Sequence, residues 1–296
     1  MANVSTTTTS TSTRSSGEVI GRYEAGNSAS RHLNGSAVLQ ALRVKAQQWF
    51  RNLIVIVAFL ALWEIAPRTG LVDNTFFPPL STVLKAWWQL LLSGDLAEHT
   101  EASLSRSLGG FLLALVVSVP IGLAIGWWKP VAAYLNPLLE VMRNTAPLAI
   151  LPVFILLLGL GETSKISIVF YACFFPLLLN TISGVKNVDP LLIKSAKSMG
   201  LSNIALFRKV IIPAAIPTIF IGIRQSGAAS ILVLVAAEMV GAKSGLGYLI
   251  QYTQFSFQIP EMYAGILSIS VIGLILNYVI LSIERKLTAW RQTYGD

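Results

Sequence analysis

From Ser107 to Trp128 the chain reads SLGGFLLALVVSVPIGLAIGWW, a full membrane thickness without one ionisable side chain. About 20 apolar residues carry a helix across the ~30 Å hydrocarbon core of a bilayer. Five more apolar runs accompany it. They are Trp49–Ala66, with Arg51 and Glu64 near its ends; Asn144–Gly161, extending back toward Val131 through kinks at Pro137 and Pro147; Ile166–Val185; Ala214–Val240, which holds Arg224; and Met262–Ile283. A helix meets all its backbone hydrogen bonds within itself, which lipid demands of any segment outside a closed barrel. The expected fold is therefore all-α and integral to the membrane, with about six transmembrane helices. Composition points the same way: 54% of residues are hydrophobic and 12% charged, where soluble domains hold about a quarter charged.

Residues 1–45 differ in kind. MANVSTTTTSTSTRSSGE is a Ser/Thr tract with nothing to bury, so a disordered tail is expected, followed by a transmembrane domain over 46–296. No short basic head with an apolar core marks a secretory signal. With the N-terminus in the cytoplasm, six spans leave sixteen of the Lys and Arg residues on that side and five on the other, with Arg224 inside a span. Discounting the distal Arg14, Arg22 and Arg31 still leaves thirteen against five. Both termini are thus expected to be cytoplasmic. Trp63, Trp87, Trp88, Trp127, Trp128 and Trp290 fall near span ends, where interfacial aromatics belong.

The same residues exclude several chemistries. One cysteine, Cys173, leaves no disulfide or thiolate cluster, and His32 and His99 lie far apart, so neither a metal nor another cofactor is expected. No H-E-x-x-H or G-x-S-x-G is present, and no histidine stands near a nucleophile, so no catalytic residues are assigned. The Gly-rich turns GLGETSK (159–165) and GAKSGLG (241–247) lack the G-K-[ST] end of a phosphate-binding loop, so the chain itself is not expected to hydrolyse ATP. The net charge of +8 follows topology rather than a basic stripe with interleaved aromatics, which argues against nucleic acid.

One polar stretch stands between two apolar ones: LLIKSAKSMGLSNIALFRKVIIP, from Leu191 to Pro213, with four basic residues and no acid. Asp189-Pro190 is a strong helix start, Gly200 a stop, and Ser202 a second start. Leu192, Ser195, Ala196 and Met199 share a face at helical spacing, flanked by Lys194 and Lys197; Ile204, Phe207 and Ile211 line the second helix. A small-residue face lets another backbone approach, which suits docking. The lysines equally suit an amphipathic helix on anionic membrane lipid.

This stretch resembles the cytoplasmic loop of ABC importer permeases, E-A-A-x-x-x-G, nine residues, then I-x-L-P. Here it reads Lys194-Ser195-Ala196, three residues, Gly200, nine residues, and Val210-Ile211-Ile212-Pro213. The chain departs from the pattern at Lys194 and Ser195. GLGETSKI (159–166), FFPLLLNTISGV (174–185) and the segment from Pro213 to Ile250 are similar to permeases of the nitrate, sulfonate and taurine importers. The resemblance spans about Asn52 to Trp290. It implies a type I importer permease for a small anion such as nitrate, sulfonate, taurine or bicarbonate. Such a permease pairs with a second permease copy, two ATPase subunits and an extracytoplasmic substrate-binding protein. Within the loop of about 186–213 it implies an ATPase-docking role for Leu192, Lys194, Ser195, Ala196, Lys197, Met199, Gly200, Phe207 and Pro213.

Polar groups inside spans are the pathway candidates. Asn180 would donate to an anion or bond a neighbouring helix. Arg224 would snorkel to the interface or bias a path toward anions. Glu238 would gate the outer exit or pair with a base, and Arg143 would line the path or anchor its helix. A stand-alone secondary transporter or channel for small anions is the alternative reading; the two halves show no internal repeat of the kind many such transporters carry.

Overall fold

The computed structural model describes residue 51 and residues 53–288. The tail expected over 1–45, the start of the first expected span at Trp49, and Trp290 lie outside the described residues. The chain divides into two compact units, Met1–Ile65 and Ala66–Asp296. In the first, the described residues are helical and mostly exposed; they belong to helix α1, whose residues 53–68 run past the division at Ile65. The remaining helices belong to the second unit.

Its helices are α2 (Leu80–Ser93), α3 (Asp95–Trp127), α4 (Lys129–Arg143), α5 (Pro147–Leu158), α6 (Glu162–Lys186), α7 (Pro190–Ser198), α8 (Asn203–Leu206), α9 (Ile212–Glu238), α10 (Leu246–Phe255) and α11 (Ile259–Leu287). No strand occurs among the described residues. A π turn, Phe207–Ile211, welds α8 to α9. Pro213 and Pro217 offer no N–H to the carbonyls four residues back, and a π turn absorbs such a mismatch.

Four continuous helices are long and apolar enough to cross a bilayer: α3, α6, the run Asn203–Glu238, and α11. The expected span over Asn144–Gly161 takes a different form. Pro137–Arg143 and Pro147–Leu158 meet at 91°, a broken pair rather than a kinked rod. Pro147 forces Ala146 into extended backbone (ψ 125°), so α4 ends and α5 begins afresh with proline in its first turn.

Small residues set the packing. A Cβ added at Gly110, Gly122 or Gly126 of α3 would come within 2.7 Å of Val169, Thr181 or Val185 of α6. The register is constant, so α3 and α6 run parallel in close contact. On the other side of α6, Gly222 of α9 abuts Asn180, and Gly184 abuts Ala215 and Thr218, an antiparallel pairing. Hydroxyls complete the seams: Ser107 donates to Ser230 (3.1 Å), and Ser226 to the Cys173 carbonyl (3.0 Å). Close approach with interhelical hydrogen bonds is how helices associate where lipid removes the hydrophobic drive. The long helices thus form a stiff frame with three polar places: a loop at one end, a cleft on the flank, and a sealed cluster at the other end.

Candidate functional site

The loop is built by its caps. Asp189 accepts from the Leu191 N–H (2.8 Å) and Pro190 opens α7. At the far end the Gly200 N–H bonds the Lys197 carbonyl (2.9 Å) and the Leu201 N–H the Ala196 carbonyl (3.2 Å). That bond pair is a Schellman cap, and it needs a left-handed residue: Gly200 has φ 77°. Open space surrounds Gly200, so backbone conformation rather than crowding requires glycine there. Ser202 then accepts from the Ala205 N–H (3.3 Å) and starts α8.

The faces of α7 differ from the expectation in one respect. Ala196 is buried, packed with Val185, Val188, Leu206, Ile211 and Ala215 under the loop. It holds α7 to the bundle and does not belong to the outward face. That face carries Leu192 and Met199, the latter 73% exposed, with Lys194, Ser195 and Lys197 exposed beside them. Phe207 also turns inward, its ring 5.0 Å from Trp127, and Pro213 is half-buried in the first turn of α9. A buried alanine at the pivot and a left-handed glycine at the end make α7 a small rigid knob, anchored below and apolar above.

The second place is an open cleft of about 570 Å³, lined by Arg143, Asn144, Phe175, Pro176, Leu179, Asn180, Gln225 and Ala229. It draws together two of the sequence candidates, Arg143 and Asn180. The break between α4 and α5 presents Arg143 and Asn144 from one side; α6 and α9 present Asn180 and Gln225 from the other. Asn180 donates to the Pro176 carbonyl (2.8 Å) and to Gln225 Oε1 (3.1 Å). Arg143 pairs with Glu140 at 2.9 Å, both half-exposed. Both Asn180 N–H groups are thus spent inside the bundle, and one of Asn144 goes to the Glu140 carbonyl (2.8 Å); the Arg143 guanidinium with the Asn144 and Gln225 amides, on an aromatic and aliphatic floor, offers N–H donors and one positive charge, which is the chemistry an oxyanion requires. Sequence reading missed Gln225. Its spacing alone carries no signal, because only the antiparallel register of α6 and α9 sets it against Asn180.

The remaining candidates lie elsewhere. Arg224 of α9 pairs with Glu284 of α11 instead of reaching for an interface, and its buried Nε has no partner among the described residues. Glu238 is fully buried in an ion cluster with Arg106 of α3, itself 5% exposed. The Arg106 Nη1 donates to Glu238 Oε1 and to the Ser244 carbonyl (2.7 Å each), and its other nitrogens meet Glu162 and Ser244 Oγ. Glu238 also accepts from Ser103 Oγ (2.8 Å) and the Gly247 N–H (3.0 Å). Gly245, at φ 117°, lies so close that a Cβ there would overlap the Glu238 carboxylate. Arg106 is therefore a core residue, and the two Gly-rich turns close around it. The clue was present: an arginine at the mouth of one apolar run and a glutamate near the end of another must both be neutralised.

With this geometry in view, comparison with known proteins is direct. The family of binding-protein-dependent transport system inner membrane components matches residues 108–289. The aliphatic sulfonates transport permease protein SsuC of Bacillus subtilis is 35% identical over 261 residues, 88% of this chain and 95% of its own length. The taurine transport system permease protein TauC of Escherichia coli is 32% identical over 240 residues, covering 79% of this chain and 87% of the relative. A chain of the inward-facing MetNI methionine ABC transporter shares the fold, with a TM-score of 0.54 at 16% identity, over 63% of this chain and 93% of that one. The molecule is a multi-pass helical transport component of the membrane. It belongs to the family of binding-protein-dependent transport system inner membrane components.

Proposed function

We propose that the chain is the permease subunit of an ATP-driven importer for organosulfonates or taurine, with nitrate and bicarbonate as the less supported anions. Two copies would form the pathway, with both termini cytoplasmic. A separate ATPase pair would dock on the outward face of α7, and a substrate-binding protein would deliver cargo from the opposite side. The names of the sulfonate and taurine relatives support this substrate class. So does the cleft lined by Arg143, Asn144, Asn180 and Gln225, where the donors of Arg143, Asn144 and Gln225 suit a sulfonate group.

The observation that carries the coupling role is the construction of α7. A tether would have no use for a capped helix pinned by a buried alanine, and Ala196 is 2% exposed while Met199 beside it is 73% exposed. Force applied to Leu192, Lys194, Ser195, Lys197 and Met199 would pass through Ala196 and Leu206 to α6 and α9 without dissipating in a flexible loop. ATP-driven closure of the ATPase pair would then switch the spans between two rigid packings, because nucleotide binding favours one over the other.

Reconstitution tests this reading. Permease, ATPase and binding protein together in liposomes are expected to take up labelled taurine or an alkanesulfonate only with ATP. Uptake by the permease alone would make it a stand-alone carrier and end the proposal. Gly200→Leu places a branched side chain at φ 77° and is expected to reduce ATPase co-purification several-fold while membrane insertion is unchanged. Undiminished co-purification and uptake would remove α7 from the docking role.

A further inference from the structure

Among the described residues, a single non-glycine residue has positive φ, Phe257 at 56°. A bulky aromatic in the left-handed region is a strained outlier, and such strain persists where function requires the side chain. The end of α10 repeats the cap of α7 bond for bond. The Phe257 N–H bonds the Gln254 carbonyl (3.2 Å) and the Gln258 N–H the Thr253 carbonyl (2.9 Å), as Gly200 and Leu201 do at the other loop. One Schellman cap holds the residue its backbone favours; the other holds phenylalanine.

Packing does not hold Phe257 in place, because its side chain is 74% exposed. Phe255 is 74% and Tyr252 54% exposed beside it, with Gln254, Ser256 and Gln258 exposed between them. The turn is therefore an aromatic tip set with neutral amides and a hydroxyl. From Ser244 to Pro260 there is no ionisable acid or base other than tyrosine.

Helix register places this tip. Ile250 of α10 lies against Gly265 of α11, so the two helices form an antiparallel hairpin. Lower down, Gly227 of α9 lies against Ile280, and Arg224 against Glu284. The 29 residues of α11 rise ~44 Å, more than the ~30 Å apolar slab takes up even at a tilt of about 40°, so the helix extends past the slab. Arg285 and Lys286 mark the opposite end, and the turn stands past the level of Glu238. On the orientation proposed above, it protrudes on the extracytoplasmic side.

We propose that Phe257, supported by Phe255, is an anchor on which the extracytoplasmic substrate-binding protein docks. The partner's matching surface is an apolar pocket rimmed by neutral hydrogen-bonding groups. This inference rests on the importer reading. Chemistry favours a protein over the membrane surface: a headgroup belt combines Trp and Tyr with Lys or Arg, while this tip has no cation and places phenylalanine at its most exposed points. Exposed aromatics ringed by neutral polar groups match the anchors of protein interfaces.

The test is Phe257→Gly in the complete complex, assembled in lipid nanodiscs with ATPase and binding protein. Glycine supplies what the left-handed position favours while removing the ring. The melting temperature and the ATPase rate without binding protein are expected to stay level or rise. The binding-protein concentration for half-maximal stimulation is expected to rise tenfold or more. Phe255→Ser should act in the same direction. A half-maximal concentration within twofold of wild type overturns the proposal. So does a fall in melting temperature, which makes the ring structural, or an equal loss of rate without binding protein, which makes it a lipid anchor. A wild-type complex unmoved by any binding protein overturns the importer reading itself, and the proposal with it.

Discussion

Arg106 and Arg143 both sit among polar partners in this bundle, and they live in opposite conditions. Arg106 is closed off, with every nitrogen of its guanidinium committed to Glu238, Glu162 or Ser244. Arg143 opens into a cleft, with Glu140 its one charged partner among the described residues. The first arrangement fastens α3, α6, α9 and the 241–247 turn together; the second leaves donors free to meet something that arrives. Residue type is the same in both. Access to water decides whether a charge serves the fold or awaits a ligand.

That contrast breaks most readily at Glu238. Glu238→Ala strands a buried arginine against one half-exposed glutamate and leaves Ser103 and the Gly247 N–H without their acceptor. Loss of one member of a buried pair costs about 3–5 kcal/mol. The detergent-solubilised permease is expected to melt far lower; a loss under about 1 kcal/mol would show that water already reaches the cluster.

Glu162→Gln probes the edge of the same cluster. The Glu162 side chain is 61% exposed, so solvent screens its pairing with Arg106 and the loss should stay within about 1 kcal/mol by the same melting assay. A cost equal to that of Glu238→Ala would mean that the cluster behaves as one unit irrespective of exposure.

Arg143→Gln should move stability least, since both members of its ion pair are half-exposed and such pairs contribute ~0–1 kcal/mol. Its effect belongs in transport. Removing a charge-assisted hydrogen bond worth about 1.5–3 kcal/mol is expected to lower sulfonate uptake roughly tenfold or more at low substrate. Unchanged uptake would take Arg143 out of the pathway.

Much of this molecule was legible before any fold was known. Long apolar runs announced α3, α6, α9 and α11, because a bilayer tolerates little else. Asp189, Pro190, Gly200 and Ser202 announced the caps of α7 and α8, since these residues act through their own local backbone. The face of α7 was harder. Ala196 and Ser195 are both small, and nothing local distinguishes the one beneath from the one outside. The break between α4 and α5 was visible as prolines, while its 91° angle was not.

Hydropathy and capping are properties of a single segment, so the chain alone established a helical membrane protein with a capped polar loop. Partnership is a property of two segments and their register. That Arg106 meets Glu238, that Asn180 meets Gln225, and that Ala196 faces inward followed only when parallel α3 and α6 and antiparallel α9 were packed through their glycines. A side chain's need for a partner is written in its chemistry; which partner satisfies it depends on distances that arise only in the assembled bundle.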